Sequence, residues 1–138
     1  MNGAAAGKAP WTFWAASGLG LVWNAYGGFD FIMTQTRNAA YIATTPPEVI
    51  QAIDAAPYWA LACWGLGVWG SIAGSILLLL RSRLAVTAFA ASLLGALVSF
   101  GWQFREGIAA PLLAVVILAV VAAQLGYARK QVAARILR

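Results

Sequence analysis

The sequence predicts an all-α protein: a four-transmembrane-helix bundle, N-in/C-in, with a short amphipathic helix in the first outer loop. Three observations carry this. The chain of 138 residues is 62% hydrophobic and only 9% charged, whereas soluble domains are roughly a quarter charged, and a small domain in water buries too little of its chain to hide that much apolar surface. Four apolar runs have the length of about 20 residues that a helix needs to cross a hydrocarbon core of ~30 Å. Their cations collect beyond the same ends. The runs are continuous, not the alternating ten-residue segments of a membrane β-barrel.

Residues 1–10 are small and read as a flexible cytoplasmic N-terminus. The four-helix membrane domain follows over 11–127. Its first span, 11–33, carries the polar interruptions Asn24 and Asp30. It is too long for a signal-peptide core and no A-x-A site follows closely, so it is expected to be retained. The first outer loop contains Thr45-Pro46-Pro47-Glu48, which reads as a helix start. Thr45 would cap, Pro46 would take the first helical position and Glu48 would close a capping box. Val49, Ile50 and Ile53 then share one face. This helix is either an interfacial connector or a lid over a pocket.

The second span is 58–80, the third 84–104 and the fourth 108–127, with Arg81 and Arg83 in the tight turn between the second and third. The fourth is apolar on every side apart from Gln124, which places it at the periphery. Residues 128–138 read as a basic amphipathic cytoplasmic tail that continues the fourth helix. There Val132, Ala133, Ile136 and Leu137 share a face among Arg129, Lys130, Arg135 and Arg138. Such a segment attracts anionic lipid or serves simply as a stop-transfer anchor.

Orientation follows from the basic residues. Lys8, Arg81, Arg83, Arg129, Lys130, Arg135 and Arg138 fall on one side, Arg37 and Arg105 on the other. All four acids (Asp30, Glu48, Asp54 and Glu106) lie at or beyond the second side. Trp11 and Trp14 sit at one interface and Trp59 and Trp102 at the other, the aromatic-belt positions. Trp23, Trp64 and Trp69 lie deeper, for packing or for lining an apolar pocket.

Small residues mark the faces on which helices approach closely in lipid. The expected packing positions are Gly20, Gly27 and Gly28 in the first span and Gly67, Gly70 and Gly74 in the second. In the third, Ala91 and Gly95 stand in a row with Thr87 and Ser99 at four-residue spacing. Such faces serve a bundle or a homodimer.

Polar groups inside a membrane are functional candidates. Asn24 lies on the glycine face of its helix, where its amide can bond a neighbouring helix. Asp30 points about 120° away, with Arg37 and Arg105 as candidate partners. One reading is structural, Asn24 joining helices and Asp30 tying down the loop. The other is a ligand site with Asp30 as a cation- or proton-binding carboxylate and Trp23, Asn24 and Tyr26 nearby.

Histidine is absent and Cys63 is the one cysteine. This excludes His/Cys zinc and iron–sulfur sites, His-ligated haem, a disulfide within the chain and a histidine base. No catalytic residue, metal or cofactor is assigned. The net charge of +5 is distributed as a topology signal and forms no basic stripe with interleaved aromatics, so nucleic acid is not an expected partner.

Trp23-Asn24-x-x-Gly27-x-x-Asp30, Met33-Thr34-x-Thr36-Arg37-Asn38-x-x-Tyr41, Pro46-Pro47-Glu48 and Trp64-x-x-Gly67-Val68-Trp69-Gly70 resemble a family of small bacterial four-helix inner-membrane proteins. Leu77-Leu78-Leu79-Leu80-Arg81-Ser82-Arg83 and Ser92-Leu93-Leu94-Gly95 fit it as well. The resemblance covers roughly residues 14–102. It implies four helices and a multi-pass location in the bacterial inner membrane. Members sometimes carry a "sugar transporter" label, and the family has no established activity, so no catalytic residues transfer.

The leading functional expectation is a non-enzymatic accessory or structural subunit of a membrane assembly. The alternative is a small dimeric transporter or ligand-binding bundle that uses Asp30. A membrane enzyme built on the four carboxylates ranks third, because nothing in their spacing forces a pair together.

Overall fold

The computed structural model describes residues 7–138. Residues 1–6 of the expected flexible segment lie outside the described residues. The described residues form six helices: α1 (Trp11–Gln35), α2 (Ala39–Ile42), α3 (Pro47–Asp54), α4 (Tyr58–Leu79), α5 (Leu84–Arg105) and α6 (Pro111–Ala133). No strand occurs among the described residues. Helices α4, α5 and α6 are each long and apolar enough to cross a membrane. Helix α1 has 25 residues, about 37 Å at 1.5 Å per residue, but Trp, Tyr, Asn and Asp dilute its apolar character.

Helix α4 is central. It packs most extensively on α5, and α1 lies along its other side, while α6 packs on α5. The α4–α5 contact is a backbone approach. A Cβ added to Gly67 would meet Ala96, one on Gly70 would meet Ser92, and one on Gly74 would lie 2.8 Å from the Phe89 ring. From the opposite helix, a Cβ on Gly95 would lie 2.7 Å from the Cys63 carbonyl oxygen. The Ser92 hydroxyl uses this closeness to donate to the Gly67 carbonyl at 2.5 Å.

Two packing expectations need correction. On α5 the buried face is Ala85, Phe89, Ser92, Gly95, Ala96 and Ser99, not the row through Thr87 and Ala91. Thr87 is exposed and Ala91 half-buried. Steps of four residues advance about 400°, so a strict four-residue row drifts roughly 40° per step around the helix. On α1, Gly20 and Gly28 meet neighbours, whereas Gly27 has nothing within 4 Å of an added Cβ. Gly27 lies on the flank of the buried face, about 60° around the helix from Asn24, where no neighbouring helix reaches it.

Four helices end in the same way, each closing with a residue at positive φ. Gly107 (φ 73°) follows α5, but arginine takes this place after α1 (Arg37, 52°), α4 (Arg81, 58°) and α6 (Arg135, 59°). Each stop carries the paired backbone bonds of a Schellman motif, such as Ser82 N to Leu77 O at 2.8 Å and Arg81 N to Leu78 O at 2.9 Å. Glycine would enter this conformation without a Cβ penalty. Arginine instead places a cation where the helix carbonyls end. Arg81 goes further, donating to Ile136 O at 2.9 Å and Gly7 O at 2.5 Å.

The tail therefore continues α6 only as far as Ala133. After Arg135 the chain turns back, and Arg83 N to Arg138 O (2.8 Å) and Arg138 N to Arg81 O (2.7 Å) pair it with the α4–α5 turn. Ile136 and Leu137 are buried with Phe13, Leu78, Ala85, Phe89 and Ala128, forming the plug of that end. Sequence periodicity put the two residues on the apolar face of a longer helix; the plug buries them instead. The start of α6 also moves, from Ile108 to Pro111. Proline suits the first helical position, and Ile108 N is occupied closing α5 on Gln103 O at 3.0 Å.

Because α4 and α5 touch backbone to backbone, Gly95→Ala is expected to cost about 1–3 kcal/mol through overpacking. Gly27→Ala should stay within about 0.5 kcal/mol of the parent. Reversible unfolding in mixed detergent micelles measures both, and equal effects at the two positions would contradict this packing.

Candidate functional site

The inward face of α1 is a stripe of Phe13, Ser17, Asn24 and Gly28, all buried, with Gly20 between them. Their spacing of three or four residues keeps them on one side of the helix. Lacking a side chain, Gly28 admits the Ile72 Cδ1 atom and the Trp69 ring. Phe31 extends this contact, with its ring 4.7 Å from Trp64 and 5.8 Å from Trp69. Trp64 and Trp69 thus pack α4 against α1.

Asn24 is the polar centre of the stripe. It is 5% exposed, and its Nδ2 donates to Ser71 O (3.2 Å), Ser75 Oγ (2.7 Å) and Gln124 Oε1 (3.2 Å). One amide therefore ties α1 to α4 and to α6. In a medium without water these partners are what make a buried amide tolerable. The reading of Asn24 as an inter-helix bond matches this geometry, and Gln124 is its partner on the helix placed at the periphery. Spacing marked Asn24 as inward-facing, but no pattern links positions 24 and 124.

The other candidate residues do not join Asn24. Trp23 is 44% exposed and Tyr26 70% exposed on the outer side of α1. Asp30 sits half-buried toward the end of the helix. Its partner is neither Arg37 nor Arg105 but Tyr41, whose hydroxyl donates to Asp30 Oδ1 at 2.5 Å. The local chain explains this. Arg37 turns at positive φ, Asn38 caps α2 by accepting from Tyr41 N at 3.1 Å, and the single turn of α2 carries the phenol back over Asp30. Phe29 supports the ring edge-on at 5.6 Å.

Arg37 bonds the Thr34 carbonyl and forms an ion pair with Asp54 of α3. A helix, α3, occupies Pro47–Asp54, where Pro47 takes the first helical position and Pro46 the cap, with no side-chain cap bond. The Thr45–Glu48 capping box does not form. Val49, Ile50 and Ile53 are half-buried, while Gln51 and Asp54 are exposed.

No known protein family, curated protein or solved structure matches this chain. The motif residues have structural work in this fold: Asn24, Asp30, Arg37, Asn38, Tyr41, Gly67 and Gly70 each make a contact described above.

Charges and buried polar groups are separated along the bundle. All the charged side chains lie at its two ends, and the centre is uncharged. Among the described residues no three His, Cys, Asp or Glu side chains gather as metal ligands. The hydrogen bond to Asp30, with burial as a lesser cause, pushes the Tyr41 phenol up from 10.0 to about 12. The carboxylate favours the neutral phenol as a donor and repels the phenolate. A raised value means that the bond's contribution is complete below pH 10 and disappears as the pH climbs through about 12. In a tyrosinate absorbance titration, the parent-minus-Tyr41→Phe difference should therefore have its midpoint near 12. Asp30→Asn should bring that midpoint back toward 10, and a midpoint already near 10 in the parent would break the Asp30–Tyr41 assignment.

Proposed function

We propose that this chain is a non-enzymatic integral protein of the bacterial inner membrane, an accessory or structural subunit of a membrane assembly. In this reading four helices cross the bilayer with both termini in the cytoplasm. Helix α1 supports the fourth crossing. It runs beside α4 from Phe13, in the plug at one end, to Phe31, on Trp64 and Trp69 at the other. A helix lying along a crossing helix for its length crosses with it. Orientation is supported by the seven cations at the end shared by Lys8, the α4–α5 turn and the tail, against two at the other. The exposed ones among them, including Arg129, Lys130, Arg135 and Arg138, suit anionic lipid headgroups at that surface.

The observation that carries the assembly reading is the outer face of α1. Leu19, Val22 and Tyr26 are each about 70% exposed there, and Phe29 is 47% exposed. Gly18, one turn before Val22 at the edge of this face, is open as well, with nothing within 4 Å of an added Cβ. Helix α6 shows the contrasting lipid-facing composition of Leu, Val and Ile. An open glycine beside exposed apolar and aromatic side chains makes the kind of surface on which another helix packs closely. Asp30 and Asp54 are already engaged by Tyr41 and Arg37, and the other two acids, Glu48 and Glu106, are both exposed.

Extraction of the tagged chain in a mild detergent or a native nanodisc should yield one defined species heavier than the 14.5 kDa monomer. Leu19→Ala with Tyr26→Ala should dissociate it without changing helix content. A monomer under every mild condition would refute the assembly. A C-terminal reporter that fluoresces only in the periplasm should stay dark; a bright signal would refute the orientation.

A further inference from the structure

Between α1, α4 and α6 lies a cleft of about 410 Å³, within the size range of small-molecule sites. Its walls are apolar, formed by residues such as Leu78, Val120 and Ala123, and its floor is polar, formed by Ser17, Gly20, Ser75 and Gln124. No charged side chain lines it.

The floor holds unused hydrogen-bond donors. Ser17 is 1% exposed and its Oγ has no partner. A helical serine or threonine ordinarily returns its hydroxyl to a carbonyl of the preceding turn. Ser71 does so to Val68 O and Thr36 to Ile32 O, each at 2.7 Å, but Ser17 does not. The Gln124 carbonyl oxygen already accepts from Asn24, so its amide nitrogen is the end left over, and it donates to no group among the described residues. That nitrogen lies over Gly20, where any side chain would stand 2.8 Å from it. Glycine at position 20 thus lets the amide lie across the floor.

Hydroxyl and amide donors in an uncharged, apolar-walled cleft, the Tyr127 phenol among its lining, select an uncharged acceptor on an apolar skeleton. An anion would lose its hydration with no cation to replace it. Ser17 lies six residues from the start of α1, about 9 Å along the helix axis. This depth rests on α1 crossing the bilayer, as proposed above; it lies below the level at which a headgroup holds the ester oxygens of a glycerolipid. A ring carbonyl on an isoprenoid chain is free to reach it. We propose that the cleft binds a membrane quinone, with one carbonyl accepting from the Ser17 hydroxyl, the Gln124 amide as the second donor, and the apolar tail lying between Leu78 and Val120.

The test is calorimetric titration of the full chain, in maltoside micelles, with decylubiquinone. Decylbenzene supplies the ring and tail without carbonyls, and a short-chain diacylglycerol supplies ester carbonyls. Saturable binding of one quinone per chain is expected, weakened about tenfold by Ser17→Ala, the effect of one lost hydrogen bond. Ala123→Phe, which fills the cleft from its wall without touching the Asn24 network, should abolish binding, and Gly27→Ala should leave it unchanged. Circular dichroism checks that each variant keeps its helix content. No saturable binding, equal binding of decylbenzene or of the diacylglycerol, or unchanged affinity in both Ser17→Ala and Ala123→Phe would overturn the proposal. These outcomes are independent of the crossing count and of the assembly, which the reporter and the extraction read separately.

Discussion

The close approach of α4 and α5 is the constraint on which the other contacts depend. Glycines remove side chains from both helices along this seam, and the Ser92 hydroxyl reaches a main-chain carbonyl of α4 across it. In hydrocarbon, helices gain little by hiding apolar surface from one another, since lipid is equally apolar. Close packing and inter-helix hydrogen bonds must hold them together. With one face of α4 given to α5, its Ser71 and Ser75 face is left for α1. The position of α1 is thus set by which side of α4 the glycines occupy.

The second organising feature is the separation of charge from buried polarity. Charged side chains are confined to the ends, where water and headgroups solvate them. The centre uses amides and hydroxyls, which cost less to bury. Asn24 makes the central connection among three helices. At one end, Arg81 joins the N-terminal segment, the α4–α5 turn and the tail. At the other, the Asp30–Tyr41 bond and the Arg37–Asp54 pair fold the first connection onto the bundle. That ion pair is largely exposed, with the Asp54 side chain 58% accessible, so its contribution to stability is small, and its effect is chiefly to orient α3.

The cleft and the outer face of α1 are different surfaces of one helix. Ser17 and Gly20 look inward, while Val22 and Tyr26 look outward. Leu19, which lines the cleft and is 72% exposed, is where a molecule seated in the cleft and a helix packed on the outer face would meet.

The long helices were legible because each is a run of about 20 apolar residues, a signal local to the chain and tied to the thickness of a bilayer. The inward face of α1 was legible for the same kind of reason: Asn24 and Gly28 recur at helical spacing. What could not be read was every contact between residues distant in sequence. Nothing local joins Asn24 to Gln124, and opposite charge suggested Arg37 for Asp30, whereas the left-handed turn at Arg37 delivers Tyr41 instead. The tail illustrates the limit. Its 3.6-residue periodicity is real, but Ile136 and Leu137 are buried by a reversal at Arg135 that satisfies the carbonyls ending α6, and three-dimensional closure of that end outweighs local helix preference. Hydrophobic length and charge placement are properties of the chain alone and settle which segments become helices. Which faces meet depends on how backbones fit against one another, and that is decided only when all the helices are packed.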